Sequence, residues 1–140
     1  MSYEKDEIIK ANKKFYDARN RYDVELIERV WLTDGRAKCV HAGWPIILGW
    51  EAIRESWKTI FETGGFDRVD ISNFFVDVKG NSAWLNCVER ATYSIDDRRV
   101  VVLAQATNIF ELADGEWKMA LHHASLMPIP RAEIDYENLQ

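Results

Sequence analysis

The side chains best suited to acid–base chemistry in this sequence are three histidines and one carboxylate. His41 ends a short apolar segment, while His122 and His123 are adjacent in a later one. Glu89 interrupts the apolar positions of a segment between them. Histidine exchanges protons near neutral pH, and a carboxylate beside an imidazole fixes its tautomer and raises its basicity. Which of these groups can meet depends on the elements that position them.

Helices are predicted in the first half of the chain. Apolar residues recur on one stripe over residues 3–22, which indicates an amphipathic helix. Asp23 can cap a second, short helix, and a third is predicted from about residue 50 to residue 62. A short strand over residues 37–41 lies between them. The first half is therefore mainly helical.

Period-two alternation replaces the helical spacing after Gly65 and predicts an antiparallel meander. The adjacent Phe74 and Phe75 break the alternation and predict a bulge. The fold class is therefore α+β, with N-terminal helices packed on an antiparallel sheet in one domain over residues 1–126 and a C-terminal arm over residues 127–140. The predicted strands are 68–78, 82–95, 99–112 and 116–126.

The turns at Asp96-Asp97 and Asp114-Gly115 allow the faces of the sheet to be counted. Counting from the first turn places Ala104 opposite Glu89, and counting from the second places Ala106 opposite His123. Because neighbours in a strand alternate, His122 is expected on the opposite face.

Three polar residues then fall on an otherwise apolar inner face, namely Glu89, Asn108 and His123. The small side chains of Ala104 and Ala106 leave a hollow that Glu89 and His123 could reach across, which predicts the floor of a pocket. The alternative is that the two groups only satisfy each other or the backbone.

The amino-acid composition argues against several classes of partner and cofactor, so they are not predicted. The chain of 140 residues has a formal net charge of -5, which disfavours nucleic acid as a partner. Its two cysteines are too few for a disulfide framework or a four-ligand zinc site, so we expect a reducing, cytoplasmic setting. No apolar stretch approaches the length needed to cross a bilayer, so no membrane partner is expected. No metal motif or cofactor motif is present, and none is predicted.

The order of elements resembles the nuclear transport factor 2-like (NTF2-like) superfamily. The stretch from Gly115 to Ser125, with Trp117 and His122-His123-Ala124-Ser125, resembles its SnoaL-like, ketosteroid-isomerase-like branch most closely. The resemblance implies a cone-shaped, cystatin-like fold with a strongly curved sheet, whose mouth admits a small, often apolar molecule. It also implies a homodimer formed through the outer face of the sheet.

Ketosteroid isomerase uses a carboxylate base and an oxyanion hole made by a tyrosine and a protonated aspartate. Aligned on that pattern, this sequence has His41 at the base position, Phe15 followed by Tyr16 at the tyrosine position, and Asn108 at the aspartate position. All three depart from the isomerase, yet a histidine can take a proton and an asparagine amide can donate to an oxyanion.

Five further residues are candidates for ligand contact. Trp44 and Trp57 could form an aromatic wall, and Tyr16 offers a hydroxyl. Phe110 and Met119 lie on the predicted inner face. Core packing is the alternative reading of these aromatic and apolar residues, and the helical spacing of Trp57 favours it.

Two functions from different classes stay open. One is a protein with an internal, largely apolar pocket that acts as a cofactor-free isomerase or dehydratase on a small hydrophobic or carbonyl-bearing metabolite. In that case His41 is the acid or base, Glu89 orients His123, and Asn108 polarises a carbonyl. The other is a non-catalytic partner-binding or oligomerisation module of the NTF2-like and kinase association domain type. An open pocket with a polar base would favour the first function.

Overall fold

A computed structural model of the protein describes residues 2–128, so the predicted arm lies outside the described residues from position 129 onward. Three helices and six strands confirm the predicted α+β class. The helices are α1 (Ser2–Asn20), α2 (Val24–Val30) and α3 (Trp50–Glu62). The strands are β1 (Lys38–Val40), β2 (Ile47–Leu48), β3 (Arg68–Lys79), β4 (Ser82–Ile95), β5 (Arg98–Ala113) and β6 (Glu116–Leu126).

The six strands form one mixed sheet in the order β2-β1-β6-β5-β4-β3. All neighbours are antiparallel except β1 and β6, which are parallel. Asp96 and Asp97 have φ of 50° and 66°, and Asp114 and Gly115 have φ of 52° and 80°. Positive φ at both central residues is the turn geometry that follows the twist of a tight hairpin. These turns produce the two predicted hairpins.

The helices cover the inner face of the sheet. Helix α1 packs across β3, β4 and β6 and buries its predicted apolar stripe, with Ile8, Phe15 and Ala18 fully inaccessible. Asp23 caps α2 as predicted, since its side chain accepts a hydrogen bond of 3.1 Å from the amide of Leu26. No helix among residues 2–128 is long and apolar enough to cross a membrane.

Two bulges interrupt the alternation of the strands. The predicted one lies in β3 between Ser72 and Phe75. The second lies in β6, where Phe110 pairs with Met119 but Ile109 pairs with Leu121. Ala120 is therefore the extra residue, and it is buried like Met119 before it.

The bulge at Ala120 overturns the predicted register of the end of β6. Ala106 pairs with Ala124 rather than with His123, and Asn108 pairs with His122. The placement of His123 on the inner face is therefore wrong: His123 is exposed on the outer face, and His122 is the inward histidine. The count from the other hairpin is confirmed, because Ala104 lies opposite Glu89.

Candidate functional site

A cavity of about 250 Å³ lies between the inner face of the sheet and the helices. Six polar residues line it: Arg19, His41, Glu89 and His122 are buried, and Thr63 and Tyr93 add two hydroxyl groups. Ala104, which pairs with Glu89 across β4 and β5, also lines it, whereas Ala106 of the predicted hollow does not. The apolar part of the lining includes Trp44, Trp57, Ile60, Phe66, Val102 and Leu126.

Glu89 is the anionic centre of the cavity and is only 4% exposed. The hydroxyl of Tyr16 donates to its Oε2 at 2.6 Å, and Arg19 Nη1 donates to the same oxygen at 3.0 Å. Burial, followed by the charge of Glu89, raises the pKa of Tyr16 well above its ordinary value, so this hydroxyl remains a donor. Because both bonds end on Oε2, the second oxygen of Glu89 remains available to a ligand.

Arg19 approaches this carboxylate from α1 and is itself buried. Its guanidinium carbon lies 5.1 to 5.6 Å from the centroids of four aromatic rings. Such rings attract a cation through their negative faces. These four rings and Glu89 stabilise the positive charge of Arg19, which would otherwise be costly to bury. The rings belong to Phe15, Tyr16, Trp57 and Phe66.

The tautomer of His122 follows from its hydrogen-bond partners. Its Nδ1 lies 2.6 Å from Oδ1 of Asn108, and the amide nitrogen of Asn108 donates to Oδ1 of Asn12 at 2.7 Å and to the Tyr16 hydroxyl at 3.2 Å. Because the Asn108 oxygen can only accept, Nδ1 of His122 carries the proton. The bare Nε2 lies 3.7 Å from Oε2 of Glu89.

His122 is held in its neutral form. Burial, followed by the charges of Arg19 and His123, lowers its pKa well below the ordinary value. The ring is 1% exposed, so an added proton would not be solvated by bulk water. His122 is thus a neutral imidazole whose Nε2 lone pair lies beside a carboxylate.

His41 is a second neutral imidazole, 6.5 Å from His122 between ring centroids. Its Nε2 lies 2.9 Å from the hydroxyl of Ser56, which donates to the carbonyl of Ile53 at 2.6 Å. Ser56 therefore accepts, and Nε2 carries the proton. Burial, followed by the charge of His122, lowers the pKa of His41 to about 3. Its Nδ1 lies 3.8 Å from the thiol of Cys39.

The structure brings only some of the predicted catalytic residues together. His41 and Glu89 line the cavity, whereas His123 points away from it. Asn108 lies behind His122, and both of its amide donor contacts go to Asn12 and Tyr16. Asn108 is thus placed to fix His122 rather than to polarise a carbonyl, which was its predicted role.

The predicted ligand-contact residues also divide. Trp44 and Trp57 line the cavity, with Trp44 at 41% exposure and Trp57 buried. Tyr16 lies behind Glu89 and contacts it directly. Phe110 and Met119 are fully buried members of the hydrophobic core and do not line the cavity.

Sequence reasoning missed Asn12 and Arg19, although a signal for both was present. Asn12, Tyr16 and Arg19 follow one another at intervals of four and three residues, so they form one line along α1 beside its apolar stripe. Polar residues that recur at the same helical spacing as a buried apolar stripe indicate polar side chains that face the interior. His122 was missed because the bulge at Ala120 left no unambiguous mark in the sequence.

These groups together can move a proton inside a small cavity. The Nε2 of His122 can accept a proton, and the imidazolium that forms would be stabilised by Glu89 at 3.7 Å. Arg19 supplies positive charge on the same side of the cavity. The apolar part of the lining lowers the local dielectric constant and strengthens both interactions.

Comparison with known proteins places this geometry in a family. A family model described as a SnoaL-like domain matches residues 8–130. A provisionally assigned dehydratase of the NTF2-like family from Streptomyces avermitilis superposes with a TM-score of 0.81 at 27% identity, covering 91% of this chain and 99% of that one. A provisionally assigned calcium/calmodulin-dependent protein kinase type II association domain from Thiobacillus denitrificans superposes with a TM-score of 0.73 at 25% identity, covering 84% and 93%.

One curated relative is longer than this chain. The F-box protein SKIP8 of Arabidopsis thaliana is 27% identical over 128 residues, which is 91% of this chain and 52% of that protein. The chain therefore spans about half the length of the curated relative that it matches.

Proposed function

Because the chain belongs to the SnoaL-like domain family of the NTF2-like superfamily, we propose that it catalyses cofactor-free acid–base chemistry on a small carbonyl compound held in its internal cavity. The reaction class is dehydration or isomerisation. The observation that supports this proposal most directly is the unprotonated Nε2 of His122. It lies 3.7 Å from the Glu89 carboxylate in a cavity that Arg19 also lines. The resemblance to an NTF2-like dehydratase supports the same class.

The proposed step begins with transfer of a proton from the carbon next to the carbonyl to Nε2 of His122. The electrons of the broken C–H bond form an enolate, whose oxygen is stabilised by the positive charge of Arg19. In a dehydration, the enolate expels a hydroxyl group from the next carbon, and this hydroxyl leaves as water with the proton from His122. In an isomerisation, the substrate carries a carbon–carbon double bond next to the deprotonated carbon, and His122 returns the proton to the far carbon of the resulting dienolate while the double bond shifts into conjugation with the carbonyl.

The size of the cavity limits the substrate. Ligand pockets commonly measure about 300 to 1,000 Å³, so this one, at about 250 Å³, is at the small end. We therefore propose a substrate with at most a single ring.

The proposal is tested with 4-hydroxy-2-butanone and 3-hydroxycyclohexanone as probes, followed by proton NMR in D₂O. Deuterium uptake next to the carbonyl reports proton abstraction, and an enone signal reports loss of water. His122→Asn keeps a donor for Asn108 but removes the base, so we expect the rates to fall about a hundred-fold or more. His123→Asn is the matched control and should leave the rates unchanged. Equal rates in the His122→Asn variant, or no exchange with either probe, would contradict the proposal.

The alternative function is that of an oligomerisation module, and an exposed apolar area favours it. Phe75 and Trp84 on the outer face of the sheet are 65% and 37% exposed, and the similarity to a kinase association domain points the same way. A homodimer through this face is compatible with the enzyme proposal. Sedimentation velocity should give a dimer that Trp84→Asp dissociates, and an unchanged dimer would argue against this interface.

A cytoplasmic location is likewise proposed, because both cysteines are buried free thiols. Fractionation of the expressing cells would test it. Recovery outside the cytoplasmic fraction would contradict it.

A further inference from the structure

A second concavity, separate from the internal cavity, lies between α1, α2 and the hairpin that joins β5 to β6. We call it the α1–α2 groove, and its volume is about 1020 Å³. Its apolar lining includes Ala11, Ala18, Leu26, Val30 and Trp117. No residue of this groove takes part in the acid–base site.

The groove is basic, although the protein as a whole carries a net charge of -5. Six basic residues line it against three acidic ones. The acidic residues pair with three of the basic ones. The other three, Lys14, Arg21 and Arg29, have no ion pair among residues 2–128. The pairs are Glu7 with Lys10, Asp17 with Lys13, and Glu116 with Lys118.

A basic groove with an apolar floor is complementary to a segment that contains acidic and apolar residues. The chain itself contains such a stretch, Glu133-Ile134-Asp135-Tyr136-Glu137. Its three carboxylates equal in number the three basic residues of the groove that have no ion pair. The charge of the segment is therefore complementary to that of the groove.

The segment is long enough to reach the groove. Leu126 lines the internal cavity, whereas Trp117 lies in the groove nine residues back along β6, which is about 30 Å away at 3.3 Å per residue. Eleven residues of extended chain from Leu126 to Glu137 span up to about 40 Å. The length of the segment therefore allows it to occupy the groove.

We propose that the α1–α2 groove binds residues 129–140 of this chain, through the acidic residues of that segment and the free basic residues of the groove. This contact lies on the helical side of the molecule, away from the outer face of the sheet. It does not depend on the acid–base function.

The test uses a full-length variant with Glu133→Gln, Asp135→Asn and Glu137→Gln, which leaves the groove free for an added peptide. A fluorescein-labelled synthetic peptide of residues 129–140 is titrated against it, and fluorescence anisotropy is recorded in 50 mM and 500 mM NaCl. We expect saturable binding that weakens about five-fold or more at the higher salt, because exposed ion pairs are screened. The wild-type chain, whose own segment competes, should bind the peptide more weakly.

Charge reversal provides the specific control. The variant with Lys14→Glu, Arg21→Glu and Arg29→Glu changes only exposed side chains, so it should keep its circular dichroism spectrum while it loses the peptide. A peptide with E133K, D135K and E137K should restore binding to this variant. The proposal is overturned if the wild-type peptide does not bind, if charge reversal has no effect, or if a scrambled peptide of the same composition binds equally well.

Discussion

Acidification from pH 7.5 to pH 5.5 should destabilise this protein through its two buried histidines. Burial lowers the folded-state pKa of His41 to about 3 and lowers that of His122 well below its ordinary value. In the unfolded chain both return to about 6.5. Because the unfolded state then binds more protons, stability is full above pH 6.5 and is lost as the pH falls toward the folded pKa values.

The size of the loss of stability follows from the difference between the folded and unfolded pKa values of the two histidines. At pH 5.5, one unit below the unfolded pKa, each histidine that stays neutral in the folded state lowers the free energy of unfolding by about 1.4 kcal/mol. The two together give about 2.8 kcal/mol, against almost nothing at pH 7.5.

Urea denaturation followed by tryptophan fluorescence measures this loss at each pH. His41→Gln keeps a donor for Ser56, and His122→Asn keeps a donor for Asn108, yet neither side chain titrates. Each substitution should remove about half of the pH dependence, and the double variant should remove nearly all of it. His123→Asn changes the exposed neighbour and should leave the dependence intact.

The reasoning would be refuted by a wild-type protein whose unfolding free energy is equal at the two pH values. It would also be refuted by a double variant that loses as much stability on acidification as the wild type. Either outcome would mean that the two imidazoles are protonated in the folded protein.

Three further substitutions test the geometry of the site. Glu89→Gln leaves Arg19 buried without its counter-ion and should cost about 3 to 5 kcal/mol in urea denaturation, whereas an exposed pair would cost under about 1 kcal/mol. Asn108→Asp places a carboxylate at Nδ1 of His122 and should raise the pKa of that imidazole, which proton NMR of the ring would detect; an unchanged titration would contradict the assigned contact. Ala104→Leu fills the cavity floor and should abolish probe turnover without unfolding the protein, and retained turnover would place the reaction elsewhere.

The sequence was sufficient for the three helices and for most of the sheet, but it predicted neither β2 nor the parallel pairing of β1 with β6. Strong periodicity and tight turns fixed α3, β4 and the register between β4 and β5, so Glu89 was correctly assigned to the inner face. Helix α3 and strand β4 are both long, and the secondary-structure propensity of their residues agrees with their tertiary environment. The hydroxyl of Tyr16 and the carboxylate of Glu89 meet across 73 residues, a contact that no local pattern specifies.

The error in β6 has a local physical cause. A count of alternating residues assumes an uninterrupted ladder, and one extra residue exchanges the two faces beyond it. Alanine fits either face, so Ala120 gives no sign that it is the extra residue. The bulge lies where β6 changes neighbours, since Met119 is bridged to Trp31 while Leu121 pairs with Lys38 of β1. Such a change of partner is a tertiary event, which a strand pattern does not encode.

The charge balance of the cavity narrows the kind of molecule that it can hold. Arg19 and Glu89 already neutralise each other, and both imidazoles are uncharged. An anionic ligand would compete with Glu89 for Arg19, and a cationic ligand would compete with Arg19 for Glu89. A neutral molecule needs neither exchange, and it can accept a hydrogen bond from Arg19 while it donates one to Nε2 of His122. The desolvation that keeps His122 unprotonated thus agrees with the proposed uncharged substrate rather than with a carboxylate or an amine.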